Sequence, residues 1–256
     1  MANSPCVADE PRAYRAIFFD LDGTLLPMDL DEFLNAYFAR LVGFAAAHGY
    51  DPQLFKKALM TGTHAMIQQD GVRNEQAFWQ TFATVYGLDD QACAQAQEVF
   101  AEFYQTDFCR VGDTVTPNPA TRKALDLLSQ KGYPLVLATM PLFPRMAVEE
   151  RLRWAGAQGV PFVYLTTYEN STSAKPKLAY YQEILDALGL QASEVLMVGN
   201  NTQEDLVAME LGLDAFLITD WLLDPIAYDK TQVKHGSMED FLAWVGTLPA
   251  CAGQIQ

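Results

Sequence analysis

The chain has 256 residues, a hydrophobic fraction of 50% and a charged fraction of 19%, which excludes a disordered or fibrous protein. Its 17 Lys and Arg stand against 32 Asp and Glu, and the resulting formal net charge of −15 argues against nucleic acid and anionic membranes as partners. The same charge repels a phosphorylated substrate, which would need a local cation and a metal ion. The length predicts one large domain, or a core with a smaller accessory domain.

The cysteines and the first residues indicate a cellular compartment. Cys6, Cys93, Cys109 and Cys251 include no C-x-x-C pair, so the sequence predicts reduced thiols rather than a zinc site or a disulfide framework. The first ten residues lack the basic and apolar regions of a signal peptide. No apolar run approaches the about 18 residues of a membrane span. The sequence therefore predicts a cytoplasmic protein without a membrane partner.

Short apolar runs that end at polar or glycine-containing turns predict five strands. They occupy residues 16–19, 135–138, 162–165, 195–198 and 215–218. Helical patterns separate the later runs at about 120–131, 144–155, 177–189 and 203–212. Continuous apolar runs are typical of parallel strands buried on both faces, and the alternation of strands and helices predicts an α/β sheet with right-handed crossovers.

Residues 29–110 interrupt this alternation. Their apolar residues recur at helical spacing, as in Phe33, Tyr37 and Leu41, and no strand pattern is convincing. Asp51-Pro52 and Asp89-Asp90 are typical helix starts. We therefore predict a separate all-helical subdomain over 29–110, inserted into an α/β core formed by 11–28 and 111–247. Residues 1–10 and 248–256 are predicted to be flexible termini.

The sharpest chemical signal is the pair of acids in Asp20-Leu21-Asp22-Gly23-Thr24, directly after the first predicted strand. Residues i and i+2 point the same way along a strand, and a tight turn at Gly23 can lift the second carboxylate over the first. α/β folds bind ligands at the carboxyl ends of parallel strands. Two neighbouring carboxylates there can hold Mg²⁺ or divide the roles of nucleophile and acid. Taken alone, the motif is also compatible with an ordinary polar turn.

Polar residues follow or precede the other predicted elements in a similar way. Thr139 and the backbone N–H of Met140 can bind a phosphoryl oxygen, close to the positive start of a helix near 142–144. Lys175, before the next helix, can offset the charge of carboxylates and phosphate. Asn200 and Asp205, after the fourth strand, carry oxygen atoms that can complete a Mg²⁺ shell. Each of these is also compatible with a strand end, a solvated lysine or a capped helix start.

Together the four segments resemble the motifs of the haloacid dehalogenase-like (HAD) hydrolase superfamily. Asp20-x-Asp22-Gly-Thr is similar to motif I, Thr139 to motif II, Lys175-Pro176 to motif III, and Gly199-Asn200 through Asp205 to motif IV. The resemblance covers roughly residues 14–220. It implies a Rossmann-like parallel-sheet core, with residues 29–110 as a helical cap of the C1 type.

The resemblance implies a Mg²⁺-dependent phosphomonoester hydrolase acting on a small phosphorylated metabolite. Asp20 would attack phosphorus to form an aspartyl-phosphate, and Asp22 would protonate the leaving oxygen and later deprotonate water. The implied metal ligands are Asp20, the backbone carbonyl of Asp22, Asp205 and Asn200. The implied phosphate-binding residues are Thr139, Met140 and Lys175. Phosphoryl transfer depends mainly on such positioning and charge stabilisation.

Two positions depart from the superfamily pattern. Many members have an acid at the position of Asn200, so we expect weaker Mg²⁺ binding, and we expect Asn200→Asp to strengthen it. Many also have Asn or Gly at the position of Met140, which retains the backbone N–H but loses a side-chain contact.

Other functions on the same scaffold remain open. A phosphomutase shares motif I, whereas a dehalogenase generally lacks an acid at the position of Asp22 and needs no metal. A catalytically weak binding or regulatory protein has Asn200 as its only support. The sequence indicates neither the substrate nor an oligomeric state. The polar cap residues near predicted loops, which are candidates for substrate contacts, are Thr61, Thr63, His64, Arg73 and Asn74.

Overall fold

A parallel sheet forms the centre of the structure, a computed structural model that describes residues 14–251. Its strands are β1 (Ala16–Phe19), β2 (Leu135–Leu137), β3 (Phe162–Leu165), β4 (Val195–Gly199), β5 (Asp214–Ile218) and β6 (Lys234–Gly236). They lie in the order β3-β2-β1-β4-β5-β6, and every neighbouring pair is parallel. The predicted Rossmann-like α/β sheet is confirmed, with the strand that precedes Asp20 near its middle.

Eight α-helices lie within the described residues. They are α1 (Leu30–Ala47), α2 (Pro52–Gln68), α3 (Asn74–Tyr86), α4 (Asp90–Thr106), α5 (Pro119–Gln130), α6 (Arg145–Trp154), α7 (Leu178–Leu188) and α8 (Met238–Thr247). Short 3₁₀ helices occupy Phe108–Gly112, Ala192–Glu194, Leu206–Leu211 and Lys230–Gln232. Among the described residues, no helix is both long enough and apolar enough to cross a bilayer.

The segment between β1 and β2 is built from α1 to α4. Asp29, Asp51 and Asp89 begin three of these helices, and each side chain accepts a hydrogen bond from the backbone N–H three residues further on. Pro52 occupies the first turn of α2, where its missing N–H costs nothing. Aromatic side chains fill the interior of the segment, and Phe82 is completely buried among them. All regular structure from residue 30 to residue 112 is helical.

The turn between α2 and α3 is attached to the α/β core. Asn74 is completely buried, and its Nδ2 donates to the carbonyl oxygens of Pro141 at 3.1 Å and Ser173 at 3.2 Å. Lys177 donates from the core to the carbonyl oxygens at the end of α2 and to Asp70. These contacts fix the helical segment to the loops that follow β2 and β3.

Three elements differ from the sequence-based expectation. The pairing of β6 with β5 was not predicted, because Lys234-His235-Gly236 has no apolar run. The helix predicted at 203–212 is the shorter 3₁₀ helix Leu206–Leu211. Burial on both faces holds for β1, β2 and β4, but β3 lies at the sheet edge and leaves Val163 53% exposed. Edge position therefore explains the exposure of an apolar run that was predicted to be buried.

The described part of the predicted C-terminal tail lies against the core. Leu248 is buried, and the backbone N–H of Cys251 donates to the carbonyl oxygen of Lys131 at 2.8 Å. The ammonium group of Lys131 in turn donates to the carbonyl of Leu248. Residues 1–13 and 252–256, which include Cys6 and most of both predicted tails, lie outside the described residues.

Candidate active site

The predicted catalytic residues follow neighbouring parallel strands. Asp20 follows β1, Thr139 follows β2, and Asn200 follows β4 on the other side of β1. Because parallel strands end at the same edge of a sheet, their polar residues gather there. The loop before α7 brings Lys175 to this edge, where its Nζ lies 2.8 Å from Oδ1 of Asp20.

Lys175 joins two buried carboxylates. Its Nζ also lies 2.6 Å from Oδ1 of Asp205, and both side chains of this second pair are 1% exposed. Burial alone would lower the pKa of Lys175, but Asp20 and Asp205 outweigh it and hold that pKa well above its usual range. Burial raises the pKa of Asp205 to about 6 against the opposing charge of Lys175. One cation therefore serves two carboxylates, which leaves an excess of negative charge.

Thr24 connects Asp20 with Asn200. Its Oγ1 lies 3.2 Å from Oδ2 of Asp20 and 3.0 Å from Oδ1 of Asn200. The Nδ2 of Asn200 donates to the carbonyl oxygen of Trp221 at 2.6 Å. Gly23 has a φ of +80°, and a Cβ at this position would lie 2.2 Å from Nδ2 of Asn200. The glycine is thus required both for the turn and for the close approach of Asn200.

Asp22 faces a different cation, Arg151 of α6. Oδ2 of Asp22 accepts a hydrogen bond from Nη1 of Arg151, whose side chain is completely buried. The guanidinium packs over the ring of Phe143, with Cζ 4.4 Å from the ring centroid. Burial raises the pKa of Asp22, and the positive charge of Arg151 opposes that shift. The side chain of Asp22 remains 18% exposed.

The sequence analysis did not identify Arg151 as a site residue. An arginine on a helix rich in charged residues is typical of a solvated surface. The signal that could have found it is its spacing, because Ala147, Val148 and Leu152 are buried on α6 together with Arg151. An arginine within an apolar stripe needs a buried partner, and Asp22 supplies it.

Several buried polar atoms at this edge of the sheet have no hydrogen-bond partner within residues 14–251. They are Oδ1 of Asp22, Oγ1 of Thr139 and Nη2 of Arg151. Buried polar atoms in folded proteins are nearly always hydrogen-bonded, to water or ligand where protein groups are lacking. The carboxylate oxygen of Asp22 can accept, Nη2 of Arg151 can donate, and the Thr139 hydroxyl can do both, so these atoms indicate where water or ligand atoms bind.

A cavity of about 200 Å³, which we call the reaction cavity, is lined by most of the predicted site residues, but not by Thr139 or Lys175. Its polar lining is formed by Asp20, Asp22, Asn200, Asn201, Glu204 and Asp205. Its apolar lining is formed by Leu30, Phe33, Leu34, Met140, Leu142, Phe143 and Leu223. Burial raises the pKa of Glu204 to about 7. A larger cavity of about 540 Å³, beside α6 and β3, contains none of the predicted catalytic residues.

The helical segment contributes to the reaction cavity only through α1. None of the five polar cap candidates, all within the described residues, lines it. Asn74 instead joins the segment to the core, while Thr61 and Thr63 donate to carbonyl oxygens within their own helix. The side chains that this segment contributes to the cavity lining are the apolar Leu30, Phe33 and Leu34.

The oxygen atoms present fit a magnesium ion. Within residues 14–251, no group of three or more His, Cys, Asp and Glu side chains is arranged to hold a metal. Asp20 and Asp205 supply two carboxylates at one ammonium group, and Asn200 supplies an amide oxygen beside Thr24. Mg²⁺ usually takes one or two carboxylates and completes its shell with water and substrate phosphate. A zinc site would require more nitrogen or sulfur ligands.

A family model described as haloacid dehalogenase-like hydrolase matches residues 14–211. The chain belongs to this family. The match confirms the superfamily that the four motifs indicated, and it confirms that the protein is a hydrolase. It covers α1 to α4 as well as the loops that carry Asp20, Thr139, Lys175 and Asp205.

Two curated relatives match almost the whole chain. The phosphoglycolate phosphatase of Vibrio vulnificus strain YJ016 is 27% identical over 230 residues, which are 90% of this chain and 91% of the relative. The phosphoglycolate phosphatase of Vibrio vulnificus strain CMCP6 is 28% identical over 230 residues, again 90% of this chain and 91% of the relative.

Solved structures of the family share the fold. A predicted phosphoglycolate phosphatase from Haemophilus somnus 129PT has a TM-score of 0.53 at 19% identity, covering 90% of this chain and 97% of its own. The L-2-haloacid dehalogenase RSc1362 has a TM-score of 0.54 at 20% identity, and the match covers 92% of this chain and 100% of the dehalogenase. A putative β-phosphoglucomutase from Thermotoga maritima has a TM-score of 0.53 at 21% identity, covering 91% and 98%. Because their names include three reactions, these likenesses show the fold and not the chemistry.

Proposed function

We propose that the protein is a Mg²⁺-dependent phosphomonoester hydrolase that acts through an aspartyl-phosphate on Asp20. The observation that carries this choice is Asp22. It stands two residues after the proposed nucleophile, keeps Oδ1 free of partners within the described chain, and faces the reaction cavity. The leaving oxygen of a phosphate ester needs a proton from such an acid, whereas the halide that a dehalogenase releases does not.

The first half-reaction breaks the ester bond. A carboxylate oxygen of Asp20 attacks phosphorus as the bond to the leaving oxygen breaks, and Asp22 donates a proton to that oxygen. The raised pKa of Asp22 favours the protonated carboxyl that this step needs. Lys175 and Thr139 hold the transferring group, the first through its charge and the second through a hydroxyl that lacks a partner in the described residues.

The second half-reaction releases phosphate. Asp22, now ionised, takes a proton from the water that attacks the phosphorus of the aspartyl-phosphate, and Asp20 is regenerated as a carboxylate. The pairing with Arg151 favours the ionised form of Asp22 that this step uses. When bound to Asp20, the Asp22 carbonyl, Asp205 and Asn200, Mg²⁺ would reduce the repulsion between the Asp20 carboxylate and the phosphate dianion.

The proposal is tested by phosphate release from a panel of small phosphate esters. We expect turnover that requires Mg²⁺, is lost with a chelator, and is lost essentially completely in Asp20→Asn. Asp126→Asn is the matched control, because this exposed carboxylate lies outside the reaction cavity and pairs with Arg122 on its own helix α5. Near-normal turnover by Asp20→Asn, with deamidation excluded, contradicts the nucleophile. Metal-independent halide release from 2-chloropropionate, without phosphatase activity, would instead identify a dehalogenase.

A further inference from the structure

The reaction cavity offers no free cation to a second anionic group on the substrate. Among the described residues that line it, none is Lys or Arg. Lys175 is paired with Asp20 and Asp205. Arg151 is completely buried and donates from Nη1 to Asp22. Its Nη2 has no partner among the described residues but is buried as well, and Arg151 does not line the cavity, whereas Phe143, over which its guanidinium packs, does. The positive charges near the site are therefore paired with carboxylates and do not line the cavity.

The carboxylates around the cavity would repel such an anion. A neighbouring cleft of about 410 Å³, which we call the outer cleft, adds Asp29 and Asp220. These two are committed to the starts of α1 and α8, where Asp29 accepts from the backbone of Glu32 and Asp220 from that of Met238. Their charge remains, because a hydrogen bond to a backbone N–H does not neutralise a carboxylate.

The outer cleft adjoins the reaction cavity, and exposed apolar side chains form part of its lining. The two share Asp22, Leu30, Asn200 and Leu223. Leu30 is 39% exposed, Leu223 38% and Trp221 43%, so three of the large exposed apolar side chains border the same opening. An exposed apolar cluster beside a reactive centre is typical of a ligand-binding surface.

Backbone hydrogen bonds fix the apolar surface to the loop that follows β4. The backbone N–H of Leu223 donates to the carbonyl of Asn200 at 2.9 Å, and the N–H of Thr202 donates to the carbonyl of Leu223 at 2.9 Å. The side chain of Asn200 adds its bond to the Trp221 carbonyl. Trp221 and Leu223 are thus fixed relative to the proposed metal ligands, as a surface that positions a leaving group should be.

We infer that the preferred substrates are phosphate monoesters whose leaving group is uncharged and apolar, aliphatic or aromatic, and carries no second anion. This inference rests on the proposed function and defines its substrate class. It separates the protein from the curated relatives that are phosphoglycolate phosphatases, since phosphoglycolate carries a carboxylate next to its phosphate ester. The leaving group would lie against Leu30, Trp221 and Leu223, with its ester oxygen at Asp22.

The experiment compares two matched pairs of esters at saturating Mg²⁺. One pair is phosphoglycolate and phosphoglycolamide, and the other is 4-carboxybenzyl phosphate and benzyl phosphate. Within each pair the anion is the main difference. We expect kcat/KM to be at least about tenfold higher for the neutral member, because an unpaired like charge in such a site costs more than about 1.4 kcal/mol.

Two variants locate the effect. Leu223→Lys places a cation at the boundary of the two cavities, and we expect it to reduce or reverse the preference for the neutral ester. Val163→Lys is the matched control, with the same charge change on an exposed apolar residue of β3 that lines neither cavity. Trp221→Ala should raise KM for benzyl phosphate more than for phosphoglycolamide, which has less apolar surface to lose.

Each outcome has a separate meaning. A preference for the carboxylate member of both pairs overturns the inference while leaving the hydrolase proposal intact. The same preference, lost in Arg151→Lys, would show that Arg151 binds the anion. Equal effects of Leu223→Lys and Val163→Lys also contradict the assignment of the leaving-group surface. If none of the four esters releases phosphate with Mg²⁺, it is the proposed function that fails.

Discussion

Asp20 and Asp22 are separated by one residue, yet their electrostatic surroundings differ. Asp20 shares Lys175 with Asp205, so two carboxylates compete for one cation. Asp22 has Arg151, so one carboxylate faces one cation. An excess of negative charge attracts Mg²⁺. At Asp22, burial favours the protonated carboxyl and Arg151 favours the carboxylate, and a group that exchanges protons uses both forms. In the proposed mechanism, the different partners of its two acids allow one short motif to provide both a nucleophile and an acid.

The largest effect should follow from removing Lys175. Lys175→Met leaves Asp20 and Asp205 buried without their cation, and we expect a loss of about 3–5 kcal/mol in the free energy of unfolding together with the loss of turnover. Lys177→Met is the matched control, because Lys177 binds carbonyl oxygens and Asp70 at a more exposed position.

Urea unfolding with and without Mg²⁺ measures both variants. Mg²⁺ should restore part of the stability of Lys175→Met, since it too neutralises the two carboxylates. Wild-type stability of Lys175→Met in the absence of Mg²⁺ would show that Lys175 does not balance their charge.

A smaller effect is expected from changes to Asp22 and its partner Arg151. Asp22→Asn should slow hydrolysis of alkyl phosphates by about 10²–10⁴-fold, the usual range for a general acid and base. Arg151→Met should slow it by part of that range, roughly tenfold to a hundredfold, because Asp22 remains but loses the group that orients it. Arg151→Lys should recover part of the loss.

Esters with different leaving groups show whether Arg151 positions Asp22 or only stabilises the fold. Nitrophenyl phosphate needs no proton on its leaving oxygen, so Arg151→Met should affect the phosphorylation step for this ester far less than for benzyl phosphate. In the Asp22→Asn background, Arg151→Met should add little further loss. Equal losses for both esters, or fully additive losses, are incompatible with action through Asp22.

The smallest expected effect concerns the amide of Asn200. From charge alone, Asn200→Asp was expected to strengthen Mg²⁺ binding. The structure shows a second role, since Nδ2 donates to the Trp221 carbonyl and a carboxylate cannot. We therefore expect Asn200→Asp to lower the free energy of unfolding by about 1–3 kcal/mol without Mg²⁺.

Asn201→Asp is the matched variant. It adds the same charge to the same loop, but Oδ1 of Asn201 only accepts hydrogen bonds, from the backbone of Gln203 and Glu204, and a carboxylate can accept them too. Thermal unfolding of the two variants should show the greater loss for Asn200→Asp. A similar loss in both would mean that charge, and not the amide donor, determines the result.

The sequence could predict site residues that adjoin clearly patterned elements, but not the partner of Asp22. Asp20, Thr139, Lys175 and Asp205 belong to loops that adjoin strands or helices with clear apolar patterns, so their common location follows from the topology of a parallel sheet. Arg151 lies on α6 between other charged residues, and only the packing of that helix distinguishes it from exposed Arg153.

Other elements depend on tertiary contacts in the same way. β6 is formed by Lys234-His235-Gly236, whose composition gives no strand signal, and it is stabilised by pairing with β5. The attachment of Asn74 to Pro141 and Ser173 joins residues that are 67 and 99 positions apart in sequence. No local pattern could have predicted that this polar residue of the helical segment binds the α/β core, where the sequence had suggested a substrate contact.

The most direct test of the central claim is a search for phosphate on Asp20. Asp22→Asn, mixed with a neutral phosphate ester and Mg²⁺ and quenched in acid within one turnover, would be digested and examined by mass spectrometry. Nitrophenyl phosphate is the suitable ester, because it forms the intermediate without an acid while Asp22→Asn slows its hydrolysis. The account predicts a phosphoryl group on the peptide that contains Asp20, at higher occupancy in Asp22→Asn than in the wild type. Phosphate on another residue, or turnover with Asp20 never modified, would contradict it.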